Sequence, residues 1–437
     1  MKSFLRALGI AAAVVIFPAA FSGCDAPDGS GVVLRLTNWG GAGEDNDYDR
    51  LVKDLYRRFE RDHPGVRLKI ENIPGEYVPK MLLNFVAGTQ PEVMVLDASS
   101  AAVFVNNGLL TDLRPFVEED PEFDLSDFYP NVVDIARRGD KLYAIPIDFT
   151  PMVVYYNKDL FDKAGVPYPD PNWTFAEFFE IAQKLTIPAK DPGLPPVQYG
   201  FVFTNWMPAW VMWLWNNGGD VLSPDGSKAT GYLDSDPNVE TLTFLRDLVK
   251  RHKVAPSLSE MQAMGADPFV HGKAAMVVMG HWALTGYKNA PKDGSGKPLI
   301  DWERLGVAHL PHNTPEPHTV FYEAGLAIPK DCKHPEEAWE FIRYWTSAEV
   351  QRVYNSSGIA VSARKDISRE RAADPIEAQF LPIVPSARPP YGSRVESYEI
   401  VENVGRSMID SILNNDVPVR EALRRAASRI DREFAKR

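Results

Sequence analysis

Tyr-Ala-Ile-Pro-Ile-Asp-Phe-Thr-Pro-Met-Val-Val-Tyr-Tyr-Asn-Lys-Asp-Leu-Phe, residues 143–161, is the stretch that decides the architecture of this 437-residue chain. Leu142 to Ile147 and Val153 to Tyr156 are short apolar runs that read as strands. They bracket Asp148-Phe149-Thr150-Pro151, which places Asp148 at the end of the first strand.

Ahead of this stretch the pattern alternates between two periods. Val32 to Thr37 reads as a buried strand, and Tyr48, Leu51, Val52, Leu55, Tyr56 and Phe59 then fall at helical spacing until His63-Pro64-Gly65 stops the helix. Val66, Leu68 and Ile70 alternate as a second strand. A helix around Val78 to Val86, a strand Val93 to Leu96 and a helix from Ser99 to Asn107 follow. Strand and helix in strict turn predict an α/β fold with a mostly parallel sheet covered on both faces.

Beyond residue 161 the α/β rhythm restarts. Thr174 with Glu177 forms a capping box for a helix through Leu185, and Asp236-Pro237 opens another that runs to about His252. Ala274 to Met279 is strand-like, and Gly325 to Pro329 is a short apolar segment. Pro335 leads a helix carrying Ala338, Trp339, Phe341, Ile342 and Trp345; Val395 to Leu413 and Val419 to Phe434 are helical with one apolar face. No internal repeat or low-complexity segment is present.

The N-terminus sets the expected compartment. Lys2 and Arg6 flank the start of an apolar run, Leu8 to Ala20, that ends in Phe21-Ser22-Gly23-Cys24. The run is shorter than the ~20 apolar residues a bilayer span needs, and small residues follow it closely. Residues 1–23 are therefore expected to be a signal peptide and residues 24–31 a flexible tether. Resemblance to bacterial lipoproteins implies that Cys24 is the lipid attachment site, with acyl chains holding the protein at the extracytoplasmic, periplasmic or cell-surface, face of the membrane. Loss of Lys2 and Arg6 shifts the net charge from −12 to −14. A chain this acidic has no basic stripe for a phosphate backbone, which argues against nucleic acid as a partner. With Cys24 acylated only Cys332 remains, so no intramolecular disulfide can form. The length suggests two domains.

Catalytic signatures are missing: there is no Gly-x-Ser-x-Gly, His-Glu-x-x-His, phosphate-cradling loop or Cys-x-x-Cys. Gly40-Gly41-Ala42-Gly43 does not match dinucleotide spacing; a turn beside a ligand and a plain strand-to-helix loop fit it equally. The informative anomaly is Trp206, Trp210, Trp213 and Trp215 within ten residues. The first three share one face of a helix that carries Pro208 in its first turn. A core stripe explains any one of them, whereas for the set a pocket wall is favoured, since an indole stacks well on the C–H face of a pyranose. Sugar hydroxyls also need acceptors. Asp97 and Asp148, each at a strand end, and Glu323, just before Gly325, lie where open α/β sheets bind ligands; helix caps or loop ion pairs are the plainer explanation of each.

The 143–161 segment resembles the first inter-domain crossover of the family 1 extracellular solute-binding proteins, the sugar-binding relatives of maltose-binding protein. Pro-Asn-Trp-Thr-Phe-Ala-Glu-Phe (171–178), Trp-Asn-Asn-Gly-Gly-Asp-Val-Leu-Ser-Pro-Asp-Gly (215–226), Phe-Val-His-Gly-Lys-Ala-Ala-Met-Val-Val-Met-Gly-His-Trp-Ala (269–283) and Glu-Ala-Gly-Leu-Ala-Ile-Pro-Lys (323–330) follow in the family's order. The resemblance covers nearly all of residues 32–437. It implies a two-lobed periplasmic-binding-protein fold, type II-like, with a ligand cleft between α/β lobes and chain crossings near 145–149, 275–280 and 325–328. The lobes are expected as 32–145 plus 280–325 and 146–279 plus 326–437. By matching position, Trp282 in Gly-His-Trp-Ala is expected to face the cleft, with His281 where the family often has proline. Trp39, Tyr77, Trp206 or Trp210, and Tyr391 in the Pro-Pro-Tyr-Gly loop are similarly placed.

The expected function is that of the extracytoplasmic component of an ABC importer. It binds a carbohydrate by hinge closure and passes it to the transmembrane permease subunits. Four clustered tryptophans favour an oligosaccharide. The expected protein is a monomer, not an enzyme, with no catalytic residues, cofactor or metal. Three rivals stay open: a lipid-anchored glycoside hydrolase or lyase, a same-fold receptor for a peptide, polyamine or metal, and an envelope scaffold protein with a vestigial cleft. His309, His312 and His318 lie close together, but on a proline-rich loop they read as solvent-exposed.

Overall fold

The computed structural model describes residues 31–39, 47–191 and 193–436. The signal segment, Cys24, most of the tether and Gly40 to Gly43 lie outside the described residues.

The first elements are β1 (Val32–Asn38), α1 (Asp47–Asp62), β2 (Val66–Asn72), α2 (Tyr77–Ala87) and β3 (Val93–Asp97). The helical spacing read in α1 puts Leu55 and Phe59 fully inside. Tyr77 is the first residue of α2 rather than a residue ahead of it. Thr174 caps α3 (Phe175–Leu185) through the full capping box with Glu177. Then come α4 (Met207–Trp215) and α5 (Asp236–Lys250).

The central correction concerns the decisive stretch. Residues 145–157 are one uninterrupted strand, β4 (Ile145–Asn157), buried at every position. The proline at 151 did not break it because its ladder changes partner there. Ile145 to Pro151 pair antiparallel with β7 (Thr319–Ala327), and Met152 to Tyr156 pair antiparallel with β5 (Met276–Gly280). A missing proline N–H costs least at such a handover. A register shift between Pro146 and Asp148 marks a bulge, a device that re-aims the side chain beside it.

Residues 154–157 also pair with β6 (Leu305–Ala308), and Asp148 and Phe149 pair with β8 (Val361–Ser362). The sheet runs β8-β4-β7-β3-β1-β2. Among the described strands, β1 with β2, β1 with β3, and β7 with the short β9 (Ala387–Arg388) pair in parallel. The expected mostly parallel sheet is thus mixed. Helical crossovers link β1 to β3, whereas β7, more than two hundred residues later in the chain, pairs antiparallel with β3.

Met276–Gly280, which but for Gly280 falls in the same expected lobe as residues 152–157, and Leu305–Ala308, which falls in the other, both pair with the 152–157 end of β4. In α6 (Pro335–Thr346), Phe341 packs edge-on to Phe59 of α1 at 5.2 Å and Trp345 stacks on Tyr56 at 5.0 Å, so this helix packs against α1. After α7 (Ala348–Asn355), helices α8 (Tyr398–Asn414) and α9 (Val419–Phe434) pack on α5 and on each other. Val153 and Tyr155 of β4 face one hydrophobic cluster and Met152, Val154 and Tyr156 the other, so this strand is shared core.

Candidate functional site

Where β3, β4 and β7 lie side by side, their registers bring two carboxyl groups onto one face and set a third beside them. Asp97 on β3 and Asp148 on β4 are both partners of Ala324 on β7, and Glu323 is the next residue on β7. Asp97 ends its strand as expected; Asp148 and Glu323 lie inside theirs. All three line one cavity of ≈ 560 Å³, whose wall also includes Trp39, Trp282, Tyr48 and Tyr354.

Each carboxyl has a different local chemistry. Asp97 accepts hydrogen bonds from the Ser99 amide at 2.7 Å and from the Ser99 hydroxyl. Burial nevertheless raises its pKa, with Ser99 opposing. Asp148 accepts a 2.8 Å bond from the Tyr354 hydroxyl. Burial pushes Asp148 up to about 7, and Asp97 adds to the rise. Glu323 is 1% exposed, and neither side-chain oxygen has a hydrogen-bond partner among the described residues. Burial, then Asp97 and Asp148, hold it well above the usual carboxylate range. A buried acceptor left unpaired costs about 1–3 kcal/mol, and more when charged. Gly325 lets Glu323 lie close to the strand, since a Cβ there would come 2.5 Å from Glu323 Oε1.

Sequence reasoning missed three residues that line the cavity and one acid outside its lining that Asp97 influences. Tyr354 is 206 residues from Asp148 in sequence, and no local pattern could pair them. Tyr48, at core spacing in α1, lies edge-on to Tyr354 with ring centroids 6.1 Å apart. Tyr322 lines the cavity with its hydroxyl unpartnered among the described residues. Glu402 on α8 is pushed up to about 7, by burial first and then by Asp97.

The aromatic expectations divide. Trp39 and Trp282 line the cavity, Trp39 at 38% exposure. Trp206 caps α4, is half-buried and meets Trp282 edge-on at 5.9 Å. Trp210 does not reach the cleft: it and Trp213 are fully buried. The signal was present in the sequence, because Met-Pro-Ala-Trp-Val-Met-Trp-Leu-Trp is apolar all round and such a helix is core. Tyr77 lies behind Trp39, edge-on at 5.8 Å, and its hydroxyl is spent on Val95 O and Thr37 Oγ1. Tyr391 is buried against Trp215 and Tyr398, outside the cavity lining.

The histidine loop is tied up in the fold. His312 Nδ1 lies 2.6 Å from Thr314 O, and His318 Nε2 lies 2.7 Å from Arg388. Among the described residues no group of three His, Cys, Asp or Glu is placed to hold a metal. Indole plates facing a buried set of acceptors can bind a solute that has an apolar face and several hydrogen-bond donors.

The sequence profile of the bacterial extracellular solute-binding proteins matches residues 42–352. The chain belongs to this family. An arabinooligosaccharide-binding protein of Bacillus subtilis is 24% identical to this solute-binding protein over 347 residues, covering 75% of this chain and 73% of the relative. Among solved structures, an ABC substrate-binding protein from Listeria monocytogenes in complex with cycloalternan matches with TM-score 0.79 and 24% identity, covering 93% of this chain and 99% of its own. A maltose-bound protein of T. maritima matches with TM-score 0.73 and 24% identity, covering 92% and 99%. These likenesses show that the solute-binding protein has a two-lobed mixed α/β fold. Among its described residues, no helix is long and apolar enough to cross a membrane.

Proposed function

We propose that this solute-binding protein is the receptor of an ABC importer and that its cleft captures a carbohydrate, an oligosaccharide, which it hands unchanged to a membrane permease. The observation that carries this reading is the pairing of Trp39 and Trp282 with Asp97, Asp148 and Glu323 around one cavity. Stacking and hydroxyl acceptance are the two things a pyranose requires. Relatives named for or bound to sugars support the class: one for arabinooligosaccharide, one with cycloalternan and one with maltose. Hinge closure would be favoured by ligand because only a closed cleft makes both kinds of contact together. We place the protein at the outer face of the cytoplasmic membrane, as a monomer held through Cys24.

The test is a thermal-shift screen of protein beginning at residue 25 against mono- and oligosaccharides, polyamines, peptides and divalent metals, with chromatography of every sugar afterwards. A ligand at a hundredfold excess over its Kd stabilises by about 2.7 kcal/mol. A glycan that raises Tm and is recovered intact supports the receptor. Cleavage of the glycan would move the protein to the hydrolases, and a response to non-sugars alone would remove the carbohydrate class.

A further inference from the structure

The cavity does not stop at its carboxyl groups. Residues two apart on a strand share a face, and Asp97, Val95 and Val93 of β3 all line the cavity, each step of two carrying its wall about 6.6 Å deeper. The registers lay neighbours alongside: Leu326 of β7 beside Val95, and Leu36 of β1 between Val93 and Ile70 of β2. Asp97 and Asp148 therefore stand at the mouth, at the end of the sheet where Trp39 follows β1. Val93, Leu36 and Ile70 form an apolar floor about 13 Å farther down the strands. Asn38 and Asn72, the polar residues that β1 and β2 add to this face, lie one step nearer the mouth than Leu36 and Ile70.

The opposite wall is helical. Tyr48, Val52 and Tyr56, four residues apart, are one stripe of α1, and Phe341 and Trp345 are one stripe of α6; both stripes line the cavity. Tyr56 stacks on Trp345 at 5.0 Å, and Trp345 meets Tyr354 edge-on at 5.8 Å. The hydroxyls of this roof are engaged within the protein: Tyr56 with Asn38, Tyr48 with Tyr354, and Tyr354 with Asp148.

A sheet and its covering helices interdigitate in ordinary cores and leave few voids larger than a water molecule. A dry cavity of about 150 Å³ lined by Leu, Ile and Phe already holds a benzene-sized guest. Here ≈ 560 Å³ touches both floor and roof. Sugar hydroxyls find acceptors at the mouth, but Val93, Leu36, Ile70 and Val52 offer them none, and a buried hydroxyl without a partner is unfavourable. The chemistry that suits the inner end is hydrocarbon.

We infer that the inner end of this cavity is a subsite for an apolar aglycone. The ligand is a glycoside whose sugar lies among Trp39, Trp282, Asp97 and Asp148 while its alkyl or aryl group enters between the sheet and helices α1 and α6. This rests on the carbohydrate reading above and narrows it.

The experiment is titration calorimetry with the n-alkyl glycosides, methyl through butyl, of glucose, galactose, arabinose and maltose, and with 1-butanol alone. In at least one series the affinity of wild-type protein is expected to rise about fourfold for each added methylene. Val52→Phe and Val93→Phe narrow the inner end from the roof and from the floor. Each, checked for a cooperative unfolding transition, is expected to bring the butyl-to-methyl ratio to within about threefold of unity; if one fails to fold, the other carries the test. A flat or falling series for every sugar, or a rise that survives both substitutions, overturns the aglycone proposal and leaves the carbohydrate reading standing. Binding of 1-butanol as tight as that of the butyl glycosides overturns both.

Discussion

The Tyr354 hydroxyl donates a 2.8 Å hydrogen bond to Asp148 Oδ2, joining helix α7 to the strand that two hydrophobic clusters share. Both residues are buried, so this bond is the principal stabiliser of negative charge on Asp148. Tyr354→Phe removes the donor and keeps the ring. Bonds to charged groups contribute about 1.5–3 kcal/mol, so urea unfolding at pH 8 should show a loss in that range. At pH 5, where Asp148 is protonated in the folded state, the loss should shrink.

The same carboxyl predicts a pH dependence of stability. Its folded pKa, about 7, lies above the ordinary 3.8, so the folded state holds a proton that the unfolded state releases between those values. Stability of the ligand-free protein should therefore fall as pH rises from about 4 to above 7. Glu402, also pushed up to about 7, acts in the same direction. Asp148→Asn should flatten the profile and raise stability at pH 8, by up to a few kcal/mol. Chemical denaturation at several pH values checks this; a variant with the wild-type slope contradicts it.

Tryptophans of the cleft and of the core should separate in a stability measurement. Trp210 is fully buried, and its replacement by alanine should cost about 3–5 kcal/mol. Trp39 is 38% exposed, and Trp39→Ala should cost less than about 1.5 kcal/mol. Equal losses would show that the two residues do not differ in role.

Gly280 is packed so closely that an added Cβ would collide with the Trp282 ring and with Thr150 Cγ2. Gly280→Ala should therefore push Trp282 out of place, weaken ligand binding by tenfold or more and shift the indole fluorescence. Unchanged affinity with an unchanged spectrum would show that the ring has room to move aside.

How far the sequence was legible follows from the range of each interaction. The capping box at Thr174 and Glu177 spans four residues and was read correctly, as were α1 and the alternation of β2. Strand β4 was divided in two because Pro151 is a breaker by local rules; only the handover from β7 to β5, residues more than a hundred positions away, makes it harmless. The antiparallel return of β7 has no local signature either. At the site, Asp97, Asp148 and Glu323 were found because acids in apolar runs stand out, and Trp282 because of its family motif. Tyr354 and Glu402 were missed because they lie on ordinary-looking helices and reach the acids through the tertiary fold.

The most direct test of the receptor account is titration calorimetry with the glycan that the thermal screen identifies, on wild-type protein and on the Trp39→Ala/Trp282→Ala double variant. The account predicts one glycan bound per chain and recovered unchanged, with at least a hundredfold loss of affinity in a double variant that still unfolds cooperatively. Wild-type affinity in that variant, or recovery of a cleaved glycan, would contradict it.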